Sequence, residues 1–277
     1  AQGETKRRII VSGHMDSSYE WRFTHAGGKA LLFLMLVGAA VSFFVLLITT
    51  IVALAKGYVT DAPDKGLPFM LSIISLCLSP FMVGLFFMVN DKVMAPGAND
   101  NLTGSLCSAA IIRYLADNNI RFENTEVIAL LTGSEESGLR GAKAFAKQHA
   151  DMLNDKSVET VFIGVETLRD YEYINIYSKD MSGTVKNCPK ACALMKEAGK
   201  LADMDLKYAS VYAGASDAAA ISKAGYSAAT LAAMDPGPPR YYHTRTDTHE
   251  NLDPKTIEKG LEIILNTVFL FDEKGLK

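Results

Sequence analysis

An excess of basic charge is missing from this 277-residue chain: 28 Lys and Arg stand against 31 Asp and Glu, leaving a net charge of −3. Neutralising a polyanion takes a surplus of Lys and Arg, so nucleic acid is excluded as an expected partner. Cysteine is scarce as well. The four present (Cys77, Cys107, Cys188 and Cys192) give no dense disulfide framework. Cys188 and Cys192 sit four apart without a second pair, which reads as a buried helix face rather than a metal or redox site. Internal repeats and low-complexity tracts are absent. With 49% hydrophobic and 21% charged residues, global disorder is excluded. The length allows one large domain or two small ones. What the chain has in excess is apolar surface. Its mean hydropathy is +0.11, odd for a soluble enzyme, and the excess is not spread evenly.

Residues 30–55 form a run of 26 positions without a charge, and residues 67–89 a second run of 23. As helices they would measure about 39 Å and about 35 Å, against about 30 Å for a bilayer core. Pro68 suits a first helical turn, and Pro80 predicts a kink. Between the runs lies a polar, turn-rich stretch with Lys56, Asp61, Asp64 and Lys65. Buried core helices are usually shorter and carry a polar stripe, and a signal peptide is shorter and begins at the N-terminus. The runs therefore predict a multi-pass membrane protein whose two-helix hairpin contacts the lipid bilayer. Arg22, Lys29 and Lys92 on one side, against Lys56 and Lys65 on the other, lean weakly toward a cytoplasmic catalytic domain.

Outside residues 17–92, short β-branched runs alternate with amphipathic helical stretches. Strands are expected at 8–13, 125–132, 158–165, 171–178 and 226–233, and helices after Asn101, Gly138, Asn187 and Asp253. Alternation of this kind predicts an α/β layered sandwich. The chain enters its first apolar strand within eight residues and has no initiator Met, so an N-terminal portion of the natural protein is expected to be missing.

Metal-type side chains gather around the expected strand ends. They are His14 and Asp16, Asp100 in the loop PGANDN, Glu135 and Glu136 after the strand expected at 125–132, Glu166, and His243 beside Tyr242. In an open α/β sheet, functional groups collect at the carboxyl ends of strands. Each residue alone has a plain alternative: His14 and Asp16 a cap pair, Glu135 and Glu136 a favoured helix N-terminus, His243 a loop histidine. Together, two imidazoles and three carboxylates form an N/O donor set that suits Zn²⁺. His25, His149 and His249 read as surface or juxtamembrane residues. The triplet Asn101-Leu102-Thr103 fits a glycosylation motif but lies inside this loop.

The stretches SGHMDS, PGANDNLTG, TGSEESGLRGAKAF, GASDAAAISKAG and YYHTRTDTHENLDP occur in an order that resembles the co-catalytic di-zinc aminopeptidase family, which also includes glutamate carboxypeptidases and glutaminyl cyclases. The resemblance implies a three-layer α/β sandwich with a central mixed β-sheet, formed by residues 1–16 and 93–277 and interrupted by the inserted hairpin 17–92. It implies two Zn²⁺ per chain, with Asp100 bridging, His14 and Glu166 completing one ion, and Glu136 and His243 the other. Glu135 falls on the general base, Asp16 on the carboxylate behind the first histidine, and Tyr242 on an oxyanion stabiliser. A cis peptide is implied at Asp100–Asn101. Two departures stand out: Glu166 occupies a position where many members carry Asp, and Ala218 follows Asp217 where many carry His.

The implied activity is hydrolysis of a peptide substrate, most simply by an aminopeptidase, through a metal-bridging water from which Glu135 takes a proton. Two ions about 3.5–4 Å apart can lower the pKa of a shared water, and a separate carboxylate must then receive the proton. Asp247, four after His243, is a candidate orienter of that ligand or a turn cap. A carboxypeptidase, deacylase or glutaminyl cyclase on the same scaffold is the competing chemistry. A membrane receptor or scaffold with a dead peptidase fold is the competing non-enzyme reading. All five ligand positions and Glu135 keep competent side chains, which argues against the last.

Overall fold

The computed structural model describes residues 1–55, 66–211 and 214–277. The polar stretch between the apolar runs, with Lys56 and Lys65, lies outside the described residues, and so does its share of the sidedness argument. The chain divides into two compact units: Ala1–Ser18, Pro96–Gly237 and Asp247–Lys277 form the first, and Tyr19–Ala95 with Pro238–Thr246 the second.

In chain order the elements are β1 (Arg7–His14), β2 (Tyr19–Trp21), α1 (Arg22–Ala55), α2 (Leu67–Leu85), β3 (Val89–Met94), α3 (Thr103–Asp117), β4 (Thr125–Thr132), α4 (Arg140–Gln148), α5 (Ala150–Asn154), β5 (Glu159–Leu168), β6 (Ile174–Asp180), β7 (Val185–Lys186), α6 (Pro189–Leu201), β8 (Lys207–Ser210), α7 (Asp217–Lys223), β9 (Ala228–Ala233) and α8 (Pro254–Lys274).

The first unit is built on a seven-stranded sheet ordered β4-β1-β5-β9-β6-β7, with β8 also paired to β6. The strands β4, β1, β5 and β9 run parallel, while β6 is antiparallel to β9, so the sheet is mixed as expected. Alternation along each strand feeds two cores. Ile9, Val11, Val161, Ile163 and Val165 face α3, α6 and α8, whereas Ile10 and Phe162 face α4, α5 and α7. Helices on both faces complete the three layers.

The helix ends follow local chemistry. Asp253 caps α8 by accepting the Lys255 amide at 3.2 Å and the Thr256 hydroxyl at 2.6 Å, with Pro254 in the first turn. Cys192 lies on the buried face of α6 and Cys188 immediately precedes that helix; both are free thiols. Burial pushes the Cys192 thiol up to about 12, which leaves it inert.

The second unit is a helical hairpin closed at its base by a β2–β3 antiparallel ribbon. Helix α1 is interrupted at Gly28, whose φ of 61° suits glycine, and runs on from Lys29 for about 40 Å. A Cβ at Gly38 would strike the Phe81 ring, one at Gly84 would strike Met35, and the Thr49 and Ser75 hydroxyls lie 3.3 Å apart. These pairings make α1 and α2 antiparallel.

The packing is inverted relative to a water-soluble core. On α1 the buried residues include Thr24, Ala39, Ser42 and Thr49, while Phe43, Phe44, Ile48, Ile51 and Leu54 are exposed. Only 17% of its most apolar window is buried, so it is not a core helix. By length and composition α1 can cross a membrane. The second apolar run does not stay helical to residue 89: the chain turns at Phe86–Met88 and enters β3, because a lack of charge does not mark where a helix stops. Helix α2, Leu67–Leu85, measures about 28 Å with Pro80 inside it, and among the described residues α1 is the one helix that is long and apolar enough to cross a membrane. The expected multi-pass topology is therefore not supported, and the membrane character rests on α1.

Candidate metal centre

Parallel pairing of β1 with β4 and β5 delivers three groups to one edge of the first unit. His14 ends β1, Glu166 lies near the end of β5, and Glu135 and Glu136 follow β4. The His14 imidazole is 2% exposed. Its Nε2 lies 3.4 Å from Asp100 Oδ1, 3.5 Å from Glu166 Oε2 and 3.9 Å from Glu135 Oε2. Ligand atoms of His14, Glu135 and Glu166 fall within 4.8 Å of one another, and a carboxylate oxygen of Asp100 lies within the same distance of one of Glu136.

Supporting contacts fix each of these groups. His14 Nδ1 meets the Asp16 carbonyl at 3.0 Å, while the Asp16 carboxylate is 3.7 Å away. That carboxylate accepts the amides of Glu135 (3.0 Å) and Glu136 (3.1 Å), pinning the turn after β4. Asp247 does the same for the Asp100 loop. Its carboxylate accepts the Asn99 amide at 2.9 Å, the Asn99 side chain at 2.8 Å and the Asp100 amide at 3.0 Å. The Asp100–Asn101 peptide is cis. Asp217 is buried behind the site, where its carboxylate accepts the Thr132 hydroxyl.

Asn101 is the residue that sequence reasoning missed. Its Nδ2 donates to Glu166 Oε2 and to the Val165 carbonyl, both at 2.8 Å, and its Oδ1 accepts the amides of Gly104 (3.0 Å) and Thr167 (3.1 Å). One side chain thus sets the Glu166 carboxylate and the start of α3. The fit needs glycine at position 104, where a Cβ would lie 2.2 Å from the Val165 carbonyl oxygen. The available signal was the polarity of PGANDN in a loop between apolar elements.

The electrostatics show what this arrangement needs. Burial pushes the Glu135 carboxyl up, with the Glu166 carboxylate adding to the rise, and burial also raises Glu166. Burial alone would lower His14, but the Glu166 and Asp100 carboxylates outweigh it and the imidazole is held well above its ordinary range. Carboxylates crowded around one buried imidazole repel each other when ionised, and a bound cation would offset that repulsion. With oxygen and imidazole donors and no thiolate, the set fits zinc.

The second unit holds Tyr242 and His243 in the segment Pro238–Thr246. The two rings stack at 3.9 Å, and the Trp21 ring meets His243 at 4.6 Å with the two planes nearly perpendicular. The Trp21 amide donates to the His243 carbonyl at 2.7 Å. Arg245 forks onto Glu20 at 2.6 and 2.7 Å. The Arg245 guanidinium holds the Glu20 carboxyl down at about 2.

A family model for peptidase family M28 matches residues 86–268, more than half of the chain. The chain belongs to peptidase family M28. No curated protein matches the sequence. Among solved structures, a zinc aminopeptidase from Bacillus subtilis is similar at 22% identity and a TM-score of 0.51, over 63% of this chain and 42% of that one. The LapA aminopeptidase of Legionella pneumophila is similar at 14% identity and 0.56, over 68% and 50%. A glutaminyl cyclase from an Acidobacteriales bacterium is similar at 14% identity and 0.53, over 99% and 72%. At these identities the likeness shows the shared fold. The chain spans half or less of the length of the two aminopeptidases.

Proposed function

We propose that this M28 member is a membrane-anchored zinc exopeptidase, most simply an aminopeptidase that removes N-terminal residues from peptides. The observation that carries the reading is the buried cluster of His14, Asp100, Glu135 and Glu166 at the carboxyl edge of the parallel strands. In this proposal His14 and Glu166 hold one zinc ion, Asp100 is shared, and Glu136 and His243 hold the other. His243 and Tyr242 are carried by the motif resemblance alone. Zinc, when bound, would polarise the scissile carbonyl, ease deprotonation of water and favour the ionised carboxylates.

The chain's own residues supply the rest. Glu135 takes the proton from the attacking water and hands it to the leaving amine nitrogen. Asp16 and Asp247 keep the ligand-bearing turns in register through backbone amides. Asn101 aims the longer arm of Glu166. Tyr242 donates to the carbonyl oxygen as negative charge develops there. Helix α1, with α2 packed against it, anchors the chain in the bilayer.

The testing experiment offers the zinc-loaded, detergent-solubilised chain free-amine, N-blocked and C-blocked dipeptides. Cleavage of free-amine and C-blocked substrates but not N-blocked ones is expected. Cleavage that needs a free carboxylate instead would mark a carboxypeptidase, release of acyl groups a deacylase, and ring closure of N-terminal glutamine a cyclase.

A further inference from the structure

The apolar hairpin does more at its base than connect to the rest of the chain. The ribbon of β2 and β3 meets the segment Pro238–Thr246 within one compact unit, and it does so through directed contacts. Glu20, 1% exposed, receives a two-pronged ion pair from Arg245 and a hydrogen bond from Asn90 of β3 at 3.2 Å. Trp21 donates its amide to the His243 carbonyl and sets its ring nearly perpendicular to the imidazole, which stacks on Tyr242. His243 itself has a φ of 53°, a left-handed backbone that a non-glycine residue keeps only where its surroundings hold it.

We infer that the β2–β3 ribbon, through Glu20 and Trp21, is the positioning device for His243, so that the membrane hairpin's own base fixes how that imidazole is presented. Glu20 anchors the loop two residues past the histidine, and Trp21 fixes both the histidine's carbonyl and its ring plane. Both act through His243 and are positioning residues. The inference rests on the reading of His243 as a zinc ligand.

Trp21 is the only tryptophan in the chain, so intrinsic emission reports on this contact directly. The experiment uses the full chain in detergent, titrated with Co²⁺ and Zn²⁺ against a chromophoric chelator, with tryptophan emission followed in parallel. Two ions should bind, and filling of one site by Co²⁺ should quench the emission. Glu20→Gln and Trp21→Ala should weaken one ion about 10–100-fold and leave the other unchanged, with Trp21→Phe recovering much of the loss. Two ions binding with no change in emission would overturn the inference, and that measurement needs no variant. Wild-type affinity for both ions in folded Glu20→Gln and Trp21→Ala would overturn it equally. A wild-type chain that binds fewer than two ions would instead overturn the zinc reading, and this inference with it.

Discussion

Glu135 and Glu136 are adjacent, and Asp16 grips the amides of both, so the backbone cannot shift to let one replace the other. Glu135→Gln keeps size and hydrogen-bonding shape but cannot accept a proton. General-base assistance is worth about 10²–10⁴-fold, and kcat should fall by that order while zinc content stays at the wild-type level. Steady-state kinetics beside metal analysis check this. Asn101 makes a different prediction. Asn101→Asp replaces the donor that meets Glu166 with a carboxylate, placing two like charges 2.8 Å apart in a buried position. Weaker zinc binding and a stability loss of about 2–4 kcal/mol are expected, read by chelator competition and denaturant unfolding.

At the scale of elements, the ribbon gives a pH prediction. The Glu20 carboxyl is held at about 2, below its ordinary 4.5. A depressed carboxylate contributes its full stability above about pH 4.5 and loses it as the pH falls toward 2. The shift sets a ceiling of about 3 kcal/mol, and solvent at the half-exposed Arg245 brings this nearer 1–2 kcal/mol. The melting temperature should drop below pH 4.5 more steeply in the wild type than in Glu20→Gln, as thermal unfolding at stepped pH would show. At the start of α3, Gly104→Ala drives a methyl group into the Val165 carbonyl and should cost about 3 kcal/mol or more.

These two elements also show what the sequence could and could not disclose. The strand 125–132 and the helices beginning near Asn101, Asn187 and Asp253 were legible because their apolar periodicity and caps are local. The short α7 was not, since its Ala-rich turn carries almost no amphipathic contrast. The ribbon was hidden because β2 has three residues, and its partners lie 68 or more positions away. The ion pair between Glu20 and Arg245 joins residues 225 apart, which no local pattern can announce.

For the whole molecule, the inverted packing of the hairpin predicts behaviour that composition alone leaves open. Large apolar side chains face outward along α1, so the intact chain should partition with membranes or require detergent. Replacing residues 23–87 by a tight turn should remove that requirement while keeping Glu20 and Trp21, because the Arg22 amide already meets the Met88 carbonyl at 2.8 Å. Sedimentation of both forms with and without detergent checks the claim. The central claim, that the buried cluster is a two-zinc hydrolytic centre, is tested most directly by one titration. The purified, metal-stripped full chain is titrated with Zn²⁺ while peptide hydrolysis and bound metal are measured in the same samples. Activity that appears with bound zinc and reaches its plateau at two ions per chain is the predicted result. Full activity with no bound zinc would contradict the account.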